Sequence, residues 1–372
     1  MQKRNSAISI CKGIAIILMV IGHAECPGFL MSFIYLFHMP IFFITAGYFF
    51  TKKCLDEPWT FVVKRFKGLY VPMVKWSIFF LLLHNVFFYF GIMNEQYGNW
   101  EGGVTHPYSV QTMIQRLVNI VFSMGGYDEF MAGAFWFFRA LLLSSIVFLV
   151  LHKLIEGKVK WIKGSGVTVA IIVLAIGFGL LKTGFGLKIQ TVVQGGIREV
   201  MGVIFFGVGV LISSYQDKIK NHWGLALIYL GILIFGTICK FRGMALAIEM
   251  RDVLTLTVTG TVGYLLTYHI STIIDKRDNI LKKFLIYCGE MTVYIYVFHI
   301  ISFKVVSLIK IWWYNLDFGQ IGCHMVIHEH PGDGFWILYT IAGVGLPLGW
   351  MWVYNKIKER RLRVVSQVDT QS

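Results

Sequence analysis

Charge is scarce in this chain. Lys, Arg, Asp and Glu supply 15% of the 372 residues, against 56% that are apolar, and the mean hydropathy is +0.66. An ordinary soluble enzyme carries charge at roughly a quarter of its positions, so that class is excluded. Paired cysteines are also missing. Cys11, Cys26, Cys54, Cys239, Cys288 and Cys323 form no C-x-x-C, which excludes a disulfide scaffold or a zinc cluster; a single bridge among Cys26, Cys239 and Cys323 has no support beyond their shared side of the membrane. No A-x-A cleavage site follows the first apolar stretch and Lys12 interrupts it, so it reads as a retained span and not a signal peptide. No internal repeat is visible, which leaves the inverted halves of many transporters unsupported.

What is present is a series of apolar runs near the ~20 residues a hydrocarbon core requires. Ten can be drawn: 7–24, 29–50, 69–92, 134–152, 165–181, 199–215, 223–239, 253–274, 284–312 and 334–354. The ninth is long enough to tilt or to lie partly at the interface. The expected fold class is all-α: a polytopic membrane protein with about ten transmembrane helices around a polar interior. Residues 1–356 form the membrane domain, and 357–372 a basic and polar tail predicted to be flexible.

The net charge of +14 could suggest nucleic acid, but its distribution argues for topology. With the N-terminus in the cytoplasm, twenty-two Lys and Arg fall in inner segments and seven in outer ones. This bias predicts both termini in the cytoplasm of a cell inner (plasma) membrane protein, and no nucleic-acid partner. Two outer segments stand out. Residues 93–133 are rich in Gly, aromatics and polar groups ("NEQYGNWEGGVTHPYS"), and loops so long without clear secondary structure generally cover or bind something. Residues 314–333 hold no Lys or Arg and three histidines.

The informative residues are polar groups within apolar runs. Lys12 and His23 lie eleven residues apart in the first, about three turns and ~16 Å along a helix, so they share one face. Lys12 could snorkel to inner headgroups while His23 sits at the outer interface beside Glu25. His38, just before Pro40 in "FHMPIFF", Lys75 in the third span, Arg139 in "AFWFFRALLL", and Glu290, His299, Lys304 and Lys310 in the ninth favour a different reading. Together they imply a polar space between helices, because so many lipid-facing charges would be very costly. Around the entry to the third span, "FVVKRFKGLYVPMVKW" clusters Lys64, Arg65, Lys67 and Lys75. These serve either topology and anionic headgroups or a cytoplasmic site for a phosphate-rich ligand.

These segments together resemble the acyltransferase-3 family of ten-helix bacterial membrane O-acyltransferases, most closely its fucose O-acetylase-like branch. The resemblance rests on Lys12 to His23 as a basic residue, ten spacers and a histidine; on "FHMPIFFITAGYFF" (37–50); on "KRFKGLYVP" (64–72); on "AFWFFRALLL"; and on "GEMTVYIYVFHI" (289–300). It implies transfer of an acyl group, acetyl by default, from cytoplasmic acyl-CoA to a hydroxyl of an envelope, capsular or exopolysaccharide sugar, with acetyl-CoA as donor substrate and no metal. Lys12, Lys64, Arg65, Lys67 and Lys75 suit the polyanionic donor. His23 suits a general base or an acyl-carrying relay. Arg139 suits the developing oxyanion, with His38 and His299 as further groups for proton transfer or substrate hydrogen bonds. Glu25 could steady His23 or meet the acceptor. Tyr97, Trp100 and Tyr108 could stack on a sugar, or could be interfacial belt residues. The rival readings are a transporter or flippase of an envelope lipid or polyol, although no pair of Gly/Pro-broken helices supports it, and a metal site in "HMVIHEH" using His324, His328, Glu329 and His330.

Overall fold

The computed structural model describes residues 5–98, 106–159, 161–219, 222–245 and 248–369, with side chains up to residue 359. Trp100 lies outside the described residues. The fold is all-helical, with no strand among the described residues. In chain order the helices are α1 (Ser6–His23), α2 (Gly28–Tyr35), α3 (His38–Tyr48), α4 (Lys52–Asp56), α5 (Pro58–Arg65), α6 (Val71–Tyr89), α7 (Val110–Ser123) and α8 (Glu129–Ala132). There follow α9 (Trp136–Lys158), α10 (Ser165–Gly184), α11 (Ile197–Ser214), α12 (Trp223–Ile238), α13 (Met250–Asp275), α14 (Ile280–Glu290), α15 (Thr292–Tyr314) and α16 (Phe335–Asp369). Among the described residues, nine stretches are long and apolar enough to cross a membrane, and α12 is a shorter apolar helix.

Helix α1 lies at the centre and packs against α2, α3, α13, α14, α15 and α16. Its first turn is closed by Asn5, whose side chain accepts from the Ile8 N–H, satisfying one of the donors that a helix start leaves orphaned. Two close helix crossings set the geometry. A Cβ on Gly13 would overlap the Leu285 carbonyl of α14, and one on Gly289 would overlap the Ser9 carbonyl of α1. Gly47 of α3 and Gly209 of α11 are related in the same way to Phe206 and Ile44. Small residues are what allow helices to approach backbone to backbone in a membrane, where apolar burial between helices provides little drive. Large apolar side chains such as Leu174, Leu227, Phe235 and Ile341 face outward, the arrangement expected where lipid is the solvent.

The structure revises several sequence expectations. The second span is not one helix: it breaks at Leu36–Phe37, so His38 opens α3 and is not mid-helix. The uninterrupted apolar run conceals this break, and Pro40 falls in the first turn of α3, where its missing N–H costs little. The ninth span divides at Met291 into α14 and α15. The basic segment before the third span is helical, continuing from α5 through a π-helical turn at Phe66–Tyr70 into α6. The long segment 93–133 contains α7, capped by Ser109, and α8, capped by Asp128. The tail expected to be flexible continues α16 as far as Asp369, and no Gly or Pro follows Gly349 in that stretch. All six cysteines are free thiols.

Candidate active site

Helix α1 stops at His23 because Glu25 takes a left-handed conformation (φ 60°) and Pro27 has no N–H with which to continue it. This leaves the His23 ring beside the middle of α15. Its Nδ1 is 2.9 Å from Nε2 of His299, and the rings stack with centroids 5.1 Å apart. His299 Nδ1 is in turn 2.8 Å from the Tyr296 carbonyl oxygen. A carbonyl only accepts, so a neutral His299 carries its proton on Nδ1 and accepts at Nε2. His23 then donates from Nδ1, and its Nε2 keeps a lone pair.

A second imidazole is fixed by the same logic. At the break between α2 and α3 the Ile34 carbonyl accepts from the Phe37 N–H at 3.2 Å instead of from an amide four residues on, and His38 Nδ1 sits 2.9 Å from it as a second partner. His38 Nε2 is therefore also an acceptor. His23 and His38 line one cavity of about 390 Å³ together with Tyr35, Tyr127, Glu129, Trp136, Arg198, Tyr296 and His324. Arg198 lies 3.9 Å above the Trp136 ring and donates to the Met244 carbonyl and to Gln194, each at 3.2 Å. Tyr296 donates its hydroxyl to the Ala134 carbonyl. Burial raises the Tyr127 hydroxyl to about 12, so it remains a donor near neutrality.

Not every expected residue reaches this cavity. Arg139 is 2% exposed and is committed elsewhere: it donates from Nε to Glu199 at 2.9 Å, to the Met124 carbonyl at 3.4 Å and to Gln194 at 3.4 Å. It stands behind the wall, and Arg198, one residue before Glu199, is the arginine that lines the cavity. Lys12 is half-buried, about three turns before His23 on α1, and is not in the lining. Lys64 and Lys67 are exposed on the continuous helix, whereas Arg65 turns inward to the Ala46 carbonyl at 3.2 Å and over the Phe61 and Phe206 rings. Lys75 is exposed beside Trp76, so it does not contribute to a polar interior, and Glu290 is likewise exposed.

The segments around Glu25, 93–133 and 314–333 are tied to one another. Glu25 pairs with His328 Nδ1 at 2.8 Å and does not hold His23. Tyr97 donates its hydroxyl to Asp317 at 2.7 Å, and Asn94 donates to the Gly319 carbonyl at 2.7 Å. Tyr108 is buried, stacked on His84 at 3.4 Å, so it is not a free sugar platform. The four residues of the suggested metal site diverge: His324 enters the cavity, His328 meets Glu25, Glu329 accepts from Gln320, and His330 stacks on Tyr314. Among the described residues, no group of three or more His, Cys, Asp or Glu side chains is placed to hold a metal.

Residues 5–356 match the family described as an acyltransferase domain, nearly the whole chain. The chain belongs to the acyltransferase-3 family. No curated protein and no solved structure matches it. In this membrane acyltransferase the cavity gathers an imidazole with a fixed lone pair, polar groups around it, and an aromatic face with a cation beside it. Of the residues singled out in the sequence, His23 and His38 line the cavity, His299 stands beside His23, and His324, considered there only as a metal ligand, lines the cavity too; Trp136, Arg198, Tyr127, Glu129 and Tyr296 were not singled out. Trp136 lies within the quoted "AFWFFRALLL", and Tyr296 and His299 are one helical turn apart in "GEMTVYIYVFHI", so proximity to recognised motifs was the available signal for these two. Arg198 was counted among the outer-loop charges, where nothing in the sequence separates it from Lys188.

Proposed function

We propose that this acyltransferase moves an acyl group, acetyl by default, from acyl-CoA to a hydroxyl of an envelope or exopolysaccharide sugar, with His23 as the general base. The observation that carries the reading is the relay in which the Tyr296 carbonyl orients His299 and His299 orients His23, leaving His23 Nε2 as the basic atom of a cavity residue. In this reaction the acceptor oxygen bonds to the acyl carbon while His23 Nε2 takes the hydroxyl proton. Collapse of the tetrahedral centre then breaks the C–S bond, and the coenzyme A sulfur recovers the proton. A positioned base of this kind contributes roughly 10²–10⁴ in rate.

Lys12, Lys64, Arg65 and Lys67 lie toward the other end of the bundle and suit the phosphates of the donor. With both termini in the cytoplasm of the inner membrane, the donor would enter there and the sugar would be met at the His23 end. Trp136 and Arg198 offer that sugar a flat apolar face with a hydrogen-bonding cation, consistent with the fucose O-acetylase-like branch. Glycan mass spectrometry of cells with the gene, without it, and with a His23→Ala copy tests the reading. Loss of one acyl mass in the last two supports it. Acylation sustained by the His23→Ala copy removes His23 from the mechanism.

A further inference from the structure

The outer segment between α15 and α16 is built to hold one histidine rigidly at the cavity. Two lysines inside the bundle rise to meet it from α15. Lys304, buried, donates to the carbonyls of Ile321 at 2.8 Å and Cys323 at 2.6 Å, the second belonging to the residue just before His324. Lys310, also buried, pairs with Asp333 at 2.9 Å and reaches the Ile327 carbonyl at 3.3 Å. Burying two ammonium groups is costly, and both are used on the backbone or flank of this one segment. From the sides, Glu25 takes His328 and Asn94 takes Gly319.

What the scaffold presents is His324. Its ring sits edge-on to Phe130 at 5.2 Å, Phe130 also lies under Lys304 at 4.8 Å, and the ring lines the cavity shared by His23 and His38. Its Nδ1 is buried with no hydrogen-bond partner. The other two cavity histidines, His38 and His23, have their donor nitrogens committed to the Ile34 carbonyl and to His299 and offer lone pairs. A carbonyl becoming an oxyanion needs the opposite, an N–H. Arg139, suited to that by residue type, is spent on Glu199.

We propose that His324 is a catalytic residue of the transfer: a ring N–H of His324 hydrogen-bonds the acyl carbonyl oxygen as the tetrahedral centre forms, and Lys304 is its positioning residue. The inference rests on the acyl-transfer reading. As the acceptor oxygen attacks, the carbonyl π pair moves onto oxygen, where the His324 N–H stabilises it; the hydroxyl proton goes to His23. When the C–S bond breaks, the pair returns to re-form the carbonyl and the sulfur is protonated from His23. His324 itself gains and loses no proton. Burial, then the Lys304 charge, hold its pKa down to about 4, so near neutrality it is a neutral donor throughout.

The test uses membrane vesicles from cells carrying the full chain, radiolabelled acetyl-CoA and the endogenous envelope acceptor, with rates normalised to folded protein. Removing one oxyanion donor typically costs about 10²–10³ in turnover. His324→Phe, which keeps the ring packing, and His324→Leu, which guards against crowding in the first, should lower the maximal rate by that order with KM for acetyl-CoA within about threefold. His324→Gln, which retains an N–H, should recover at least about tenfold of the loss. Lys304→Met should lower the maximal rate, and adding it to His324→Phe should cause no further fall. Wild-type turnover in both His324→Phe and His324→Leu overturns the proposal, as does a loss confined to KM, or a His324→Gln no faster than His324→Leu. Vesicles in which the unaltered chain transfers no acetyl overturn the acyl-transfer reading itself, a result distinct from any of these.

Discussion

Replacing His299 by leucine removes the acceptor that keeps a proton on His23 Nδ1 while filling the space left in α15. In the resting site the lost bond is neutral, and such a bond contributes about 0.5–1.5 kcal/mol net, roughly 2- to 13-fold in the population of the useful tautomer. As the proposed base, His23 would become an imidazolium during transfer. A hydrogen bond from a charged group is stronger, about 1.5–3 kcal/mol, or roughly 13- to 160-fold. The 2.9 Å separation and the stacked rings place both contributions in this one contact, so His299→Leu should slow maximal turnover by about 10- to 100-fold. Removing the base with His23→Ala should cost about 10²–10⁴, and the double variant should be no slower than His23→Ala, because without a base there is no proton for His299 to orient. The assay is the initial rate of acetyl transfer at saturating acetyl-CoA, normalised to folded protein, since the Tyr296 carbonyl also loses its partner at about 1–3 kcal/mol of stability. Losses that multiply in the double variant, or an unaffected His299→Leu, would refute the relay.

Arg139→Met leaves Glu199 buried without its partner, at an expected 3–5 kcal/mol of stability; Arg139→Met with Glu199→Leu should recover most of it, read as thermal unfolding in detergent, and equal stability of the single variant and the parent contradicts the structural role. Lys12→Ala should raise KM for acetyl-CoA with little change in maximal rate; the converse pattern assigns Lys12 to another step. Gly289→Val forces a side chain into the Ser9 carbonyl and should abolish assembly of the folded monomer, seen as aggregation on size exclusion. His324, whose neighbours acting on it are Lys304, His328 and His23, has a folded pKa below its unfolded 6.5, so its contribution to the outer segment is complete above pH 6.5 and is lost as the pH falls toward about 4. Amide exchange at 314–333 should quicken over that window, and His324→Gln should remove the dependence; an unchanged profile in His324→Gln shows another group is responsible.

Much of this architecture is written in the order of residues. Lipid demands long apolar segments, so the spans announce themselves to within a few positions, and Lys12, His38, His299, Lys304 and Lys310 are conspicuous because each is costly where it stands. The breaks are harder to see. Nothing at Leu36–Phe37 interrupts the apolar pattern, and the glycines that bring α3 onto α11 give no sign of their partners. The site is half legible for a related reason. Its membrane histidines stand out against an apolar background, whereas His324 sits in polar sequence, where histidines are ordinary, and only the lysines beneath it show that its place is fixed. Arg139 and Arg198 differ the other way: the one in the apolar run is a strut, and the one among the outer charges reaches the cavity.

The interruption between α2 and α3 ties backbone geometry to acid–base chemistry. An unbroken helix there would give the Ile34 oxygen back to an amide four residues on, and His38 would lose its reason to hold a proton on one particular nitrogen. A substitution that merely straightens this segment, touching no ring, would thereby scramble which edge of this imidazole faces the cavity.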